Sequence, residues 1–214
     1  MSYREQPPPP RFAAYLECFW NLEVRRRHPA YPVLPDGCVD IVFSSADEPR
    51  VVGTMTRPQY FDLPVGRFVC GIRFRPGRAC ALLGIPAWLL TDRSIALADL
   101  PPLQQPPALD AFSRLIDWVV ERRGDVRIND LARHSGLSVR QLQRRFLDET
   151  GVGPKQFCRI LHFRRAQSLL AATRGDWAGL AAECGYFDQA HLIRDFRDLA
   201  GRNPSRLVSD FSNR

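Results

Sequence analysis

Ala190, His191, Arg194 and Arg197 fall at helical spacing along one side of a stretch that begins at Gln189 and ends at Leu199, while Leu192, Phe196 and Leu199 line the other side at i, i+4 and i+7. Side chains of the first kind are suited to reading planar hydrogen-bonding edges and to neutralising anions. An arginine fork matches guanine O6 and N7, and a glutamine amide matches adenine N6 and N7. Asp188 supplies a side-chain N-cap for this helix. Cys184-Gly185 marks the end of the helix before it, because glycine accepts the left-handed C-cap conformation. Helix, tight turn and a second helix with a cationic outer face make a shape that the major groove of DNA admits. Ala190 sits within that face and offers only a methyl, so its contact is limited to an apolar one, such as a thymine methyl.

Other chemistries find less support. Cys18, Cys38, Cys70, Cys80, Cys158 and Cys184 are scattered without a C-x-x-C pair, so no metal site is expected. Asp36 and Asp40 have no nucleophile or histidine near them in sequence, and they read as a turn cap and a strand-face charge. His134 and His162 read as structural or surface residues, and Trp177 heads a core stripe. No phosphate-binding glycine run and no G-x-S-x-G elbow occurs, so no cofactor and no catalytic residue is assigned. The enzymatic alternative is a DNA-repair or alkyl-transfer protein that uses an N-terminal cysteine.

The stretch has a twin. Leu131, Ala132 and Gly136 recur as Leu180, Ala181 and Gly185. One extra residue, Phe187, then enters the second turn. Beyond it Leu142, Arg144, Phe146, Gly151 and Pro154 recur as Leu192, Arg194, Phe196, Gly201 and Pro204. A repeat of this length signals a duplicated supersecondary unit. In the first copy Ser138 is the N-cap, and Val139, Leu142 and Phe146 form the buried face. Arg140 and Arg144 stand one turn apart opposite them, flanked by Gln141 and Gln143. The spacing predicts helix-turn-helix units at about 128–149 and about 177–200. Between them a long helix, Lys155 to about Ala171, carries a stripe of Phe157, Ile160, Phe163, Ala166 and Leu170, with Arg159, Arg164 and Arg165 off it. Such a helix would hold two recognition helices ~34 Å apart, one turn of B-DNA.

Across the whole chain, 45% of its 214 residues are hydrophobic, as in a folded globular protein. The net charge is +7 and uneven: residues 1–110 carry +1 and residues 111–214 carry +6. A basic C-terminal half points to a polyanion. The opening MSYREQPPPP lacks the apolar core of a secretory signal, and no apolar run reaches the ~18–20 residues of a membrane span. A cytoplasmic protein with reduced cysteines and no membrane partner is expected.

The fold class expected is α+β: a small, mainly antiparallel β domain, then an all-α domain with two helix-turn-helix subdomains joined by a long helix. Four prolines within 100–107 place the boundary, giving domains 1–105 and 106–214. In the first domain the proline-rich start reads as a loosely held lead-in. Strands are predicted at Cys18–Val24, around Val39, Ile41 and Phe43, at Val51–Thr56 and at Arg67–Arg75, followed by short helical pieces at Arg78–Leu83 and Pro86–Leu90 with Gly84 between them.

The second copy, Gly185-Tyr186-x-Asp188-x-x-x-Leu192-x-Arg194-x-Phe196-Arg197-x-x-x-Gly201-x-x-Pro204, resembles the signature of AraC/XylS-type bacterial transcription regulators, and the resemblance runs from about Asp110 to the end. It implies a seven-helix DNA-binding domain. The family's base-reading positions fall at Arg140, Gln143 and Arg144, then at Gln189, Ala190, His191 and Arg194. Phosphate contacts are assigned to Arg145, Arg197 and Lys155. The first copy, richer in arginine, is expected to carry more of the discrimination. The patterns Tyr31 to Phe43, Val52 to Arg57 and Gly71 to Gly77 resemble a short N-terminal domain, of uncharacterised function, found on some such regulators. Its position suggests effector sensing or dimerisation. The expected partners are double-stranded DNA, a small-molecule effector at the N-terminal domain, a second copy in a homodimer, and RNA polymerase if the protein activates.

Overall fold

The computed structural model describes residues 1–173 and 175–212. An antiparallel-sheet region comes first and a helical region follows, as the sequence leads one to expect. The sheet runs in the order β1 (Ser2–Gln6), β2 (Leu16–Glu23), β7 (Phe68–Phe74), β4 (Asp40–Ser44), β5 (Arg50–Val52) and β8 (Ser94–Ala96). A separate ribbon pairs β3 (His28–Val33) with β6 (Gln59–Leu63). Alternation along the strands gives the sheet two apolar faces. Leu16, Ile41, Val51 and Phe74 pack on one side with Leu83 of α1 (Ala79–Leu83) and Leu90. Leu22 and Val24 pack on the other with Leu63 of the ribbon.

Three departures from the sequence expectation have physical causes. The proline-rich start is not loose: Ser2–Gln6 pairs with β2, Tyr3 lies 6.2 Å from Trp20, and Glu5 reaches Arg73. The strand expected over Val51–Thr56 stops at Val52, because the chain beyond it bonds elsewhere: Gly53 N–H donates to Arg93 O, and Thr54 turns to the helical region. β3, β6 and β8 escape sequence reading. β3 contains Pro29 and Pro32, which a central strand would not tolerate but a two-stranded ribbon does.

The helical region begins at α2 (Ala111–Glu121), capped by Asp110. Partial burial works to raise the Asp110 carboxyl, but hydrogen bonds from Ser113 and Arg145 outweigh it and hold it at about 2. Then come α3 (Ile128–Ser135), α4 (Val139–Thr150), α5 (Pro154–Leu169), α6 (Trp177–Glu183), α7 (Gln189–Ala200) and α8 (Pro204–Ser212). Phe157, Ile160, Phe163, Ala166 and Leu170 are all buried, as the stripe predicts. Cys158 and Leu161 are buried too, because α5 is covered on several sides. No helix among the described residues is long and apolar enough to cross a membrane.

The two regions are locked together. Arg78 is only 2% exposed and bonds Ala14 O, Ser113 O and, at 2.6 Å, the Asp117 carboxylate of α2. Arg164 of α5 reaches Glu17 at 3.0 Å and the carbonyl of Asp36 at 3.1 Å. Thr54 and Thr91 donate their hydroxyls to the carbonyls of Thr150 and Gly151, at the end of α4. Leu34, before β4, packs against the helical core.

Candidate nucleic-acid interface

The duplicated residues are those that make each helix-turn-helix close. Leu131 and Leu180, Leu142 and Leu192, and Phe146 and Phe196 are buried at matching places, and Ala132 and Ala181 leave room for the second helix. Gly136 (φ +68°) and Gly185 (φ +79°) make the turns, in a left-handed conformation that costs an L side chain roughly 1–2 kcal/mol. Ser138 accepts from Gln141 N–H while Gln141 accepts from Ser138 N–H, a reciprocal cap. Asp188 accepts from His191 N–H at 2.7 Å. Gly151 and Gly201 end α4 and α7 in left-handed C-caps.

The structure sorts the arginines of this region into two sets. One set is bound up in the protein. Arg159 holds α7 to α5 through the buried Asp195 at 2.7 Å and through Asp198. Arg165 faces Glu183 at 3.6 Å. Arg145, named from the sequence as a phosphate contact, pairs with Asp110 at 2.8 Å and Glu149 at 3.3 Å and lies 4.4 Å over the Phe112 ring. Any DNA contact by Arg145 would compete with these bonds. Arg197 donates to Asn203 Oδ1 at 2.7 Å and remains exposed.

The other set is free. Arg140 and Arg144 on α4 and Arg194 on α7 are exposed and have no ion-pair partner among the described residues. Lys155, at the start of α5, is likewise exposed and unpaired. Gln143 and Gln189 are exposed beside them. His191 is half-buried, edge-on to Tyr186 at 5.2 Å, with Nε2 3.9 Å from Asp195, so one edge of its ring is turned toward the protein. Each second helix thus presents free guanidinium and amide groups on the face opposite its buried stripe. Phe187, the extra turn residue before α7, is 94% exposed.

His134 stacks on Trp118 at 5.2 Å, and His162 packs edge-on to Tyr186, with burial lowering its pKa. The cysteines are all free thiols. Burial pushes Cys38 well up and raises Cys18 and Cys158 to about 11, while burial beside Glu149 raises Cys80 to about 12. A nucleophilic cysteine needs the opposite, a lowered pKa. Asp36 and Asp40 both clasp Arg73, at 3.2 and 3.1 Å. The acids are therefore committed to a part-buried ion-pair cluster.

What the sequence did not disclose is the grip of the sheet region on this interface. Thr54, Thr91 and Cys80 meet the last turn of α4, and Tyr60 lies against the C-cap glycine of α7. These residues lie on irregular segments and a ribbon whose contacts have no periodicity to reveal them.

Residues 131–209 match a helix-turn-helix domain family, and residues 4–96 match a domain of unknown function, DUF6597. Over 84 residues, 39% of this chain, the sequence is 30% identical to the HTH-type transcriptional activator RhaS of Escherichia coli, and the match spans 30% of that relative's length. Among solved structures, ToxT from Vibrio cholerae is similar in fold over 97% of both chains, with a TM-score of 0.50 at 9% identity. The DNA-binding domain of AdpA, a global transcriptional factor solved in complex with a target DNA, is similar over 48% of this chain and 94% of its own, with 25% identity and a TM-score of 0.45.

Proposed function

We propose that this chain, whose residues 131–209 match a helix-turn-helix domain family and whose residues 4–96 match DUF6597, is an AraC-type sequence-specific DNA-binding transcription regulator in which α4 and α7 read two successive major-groove segments. The observation that carries this reading is the free cationic face at equivalent positions of the two copies: Arg140 and Arg144 on one helix, Arg194 on the other. Arg144 and Arg194 are the same position of the repeat. Gln143, Gln189 and His191 complete the base-reading set, and Lys155, Arg197 and Arg145 serve the phosphates, Arg145 only at the expense of its bonds to Asp110 and Glu149.

The sheet domain controls the reader through the end of α4. Thr54 and Thr91 satisfy carbonyls that a helix C-terminus leaves open. A small effector bound to the sheet domain, or its pairing with a second copy, would act by shifting those contacts. In an activator the same domains would also meet RNA polymerase. Salt titration of binding to a duplex tests the DNA reading. Counterion release predicts a linear fall of log K with log salt, about −0.9 per phosphate neutralised, and hence a slope of about −3 or steeper here. A slope near zero, or no binding at low salt, would overturn the reading in favour of a protein-interaction module.

A further inference from the structure

The segment Thr54 to Tyr60 runs from one recognition unit to the other. At its first residue, Thr54 is buried and donates to Thr150 O, the last residue of α4, at 2.7 Å. At its far end, Tyr60 and Pro58 lie against Gly201, the C-cap of α7. A Cβ on Gly201 would stand 2.5 Å from the Tyr60 hydroxyl and 3.5 Å from Pro58.

The segment is held along its length. Met55 is buried. Thr56 donates its N–H and its hydroxyl to the two carboxylate oxygens of Asp92, at 2.8 and 2.6 Å. Asp92 in turn donates its own N–H to Thr54 O and takes a positive φ of 56°, a conformation that asparagine and aspartate tolerate better than most residues. Tyr60 belongs to β6, where it pairs opposite Pro32. Hydrogen bonds fix the segment at Thr54 and Thr56, ribbon pairing fixes it at Tyr60, and the Tyr60 ring abuts Gly201; a segment so held transmits distance, whereas a loose tether would not.

We propose that Thr54–Tyr60 is a strut that fixes the separation of α4 and α7, so that this protein selects the spacing between two half-elements in DNA as well as their sequences. α5, which packs against both helices, sets the separation from one side, and the strut sets it from the other. The inference rests on the reading that both helices enter DNA. Thr54 and Tyr60 are positioning residues: their effect on DNA passes through the two helix ends.

The test uses the full chain, with a site drawn from a random duplex library by the wild-type protein. Affinity is then measured on that site and on versions with one base pair inserted or removed between the half-elements, a change that displaces one half by ~3.4 Å and rotates it by ~34°. Two variants disturb opposite ends: Thr54→Val, which keeps volume but removes the donor, and Tyr60→Ala, at a half-exposed position where truncation spares the core. The wild type is expected to lose about tenfold or more on the altered spacings. Each folded variant is expected to cut that penalty to about threefold or less, while retaining most of its affinity for the original site. A folded variant with the full wild-type penalty overturns the strut and leaves the DNA reading intact. A wild type indifferent to spacing overturns the two-helix reading, and the strut with it.

Discussion

Phe146→Ala is expected to destabilise the protein by about 3–5 kcal/mol. The side chain is fully buried, and its ring meets Phe112 of α2 at 5.4 Å and Phe157 of α5 at 5.9 Å. It is therefore the joint by which α4 is fastened to its neighbours. Removing the ring forfeits its transfer free energy and two aromatic contacts and leaves a cavity that α4 and α2, tied by Arg145 to the α2 cap Asp110, can close only in part. Against a total stability of typically 5–15 kcal/mol, this is a large share. Chemical denaturation of wild type and variant checks it: the midpoint should fall with little change in slope. A loss below about 1 kcal/mol would mean that this core repacks freely.

Arg144→Ala is expected to weaken binding to the preferred duplex by about 1–3 kcal/mol and to relax preference at one base position while leaving folding intact. Arg144 is exposed on α4, one turn from Arg140, and no carboxylate holds it, so truncation breaks no ion pair among the described residues. Arg145, its immediate neighbour, makes the contrast. Its guanidinium is shared by Asp110, Glu149 and the Phe112 ring, so Arg145→Ala should act more on stability than on base preference. Fluorescence anisotropy on a panel of single-base variants, together with thermal unfolding, separates the two effects. Wild-type discrimination by a folded Arg144→Ala protein would show that the wrong face of α4 has been assigned.

The two adjacent arginines also show how much the sequence discloses. The helix-turn-helix repeat was legible because its determinants are local: buried leucines and phenylalanines at helical spacing, glycines at turns, Ser138 and Asp188 at caps. These fall where the pattern puts them, whereas Val139, read from the pattern as part of the buried face, is exposed at the first turn of α4. The sorting of arginines into structural and free was not legible, because each decisive partner is remote in sequence. Arg159 finds Asp195 on α7, and Arg164 finds Glu17 in the opposite half of the chain. β1 was missed for a similar reason. Nothing within Ser2–Gln6 demands a strand, and its order comes from β2, Trp20 and Arg73. The grip of Thr54, Thr91 and Tyr60 on the helix ends lies on segments where neither the 2.0 nor the 3.6 residue period applies.

A chain that reads DNA with two equivalent helices, as proposed, would leave two footprints. Hydroxyl-radical footprinting of the full chain on its selected duplex tests it most directly. Two protected patches are expected on one face of the duplex, about one helical turn (~34 Å) apart. Arg144→Ala should weaken one patch and Arg194→Ala the other. A single patch, or two patches indifferent to both substitutions in folded protein, would contradict it.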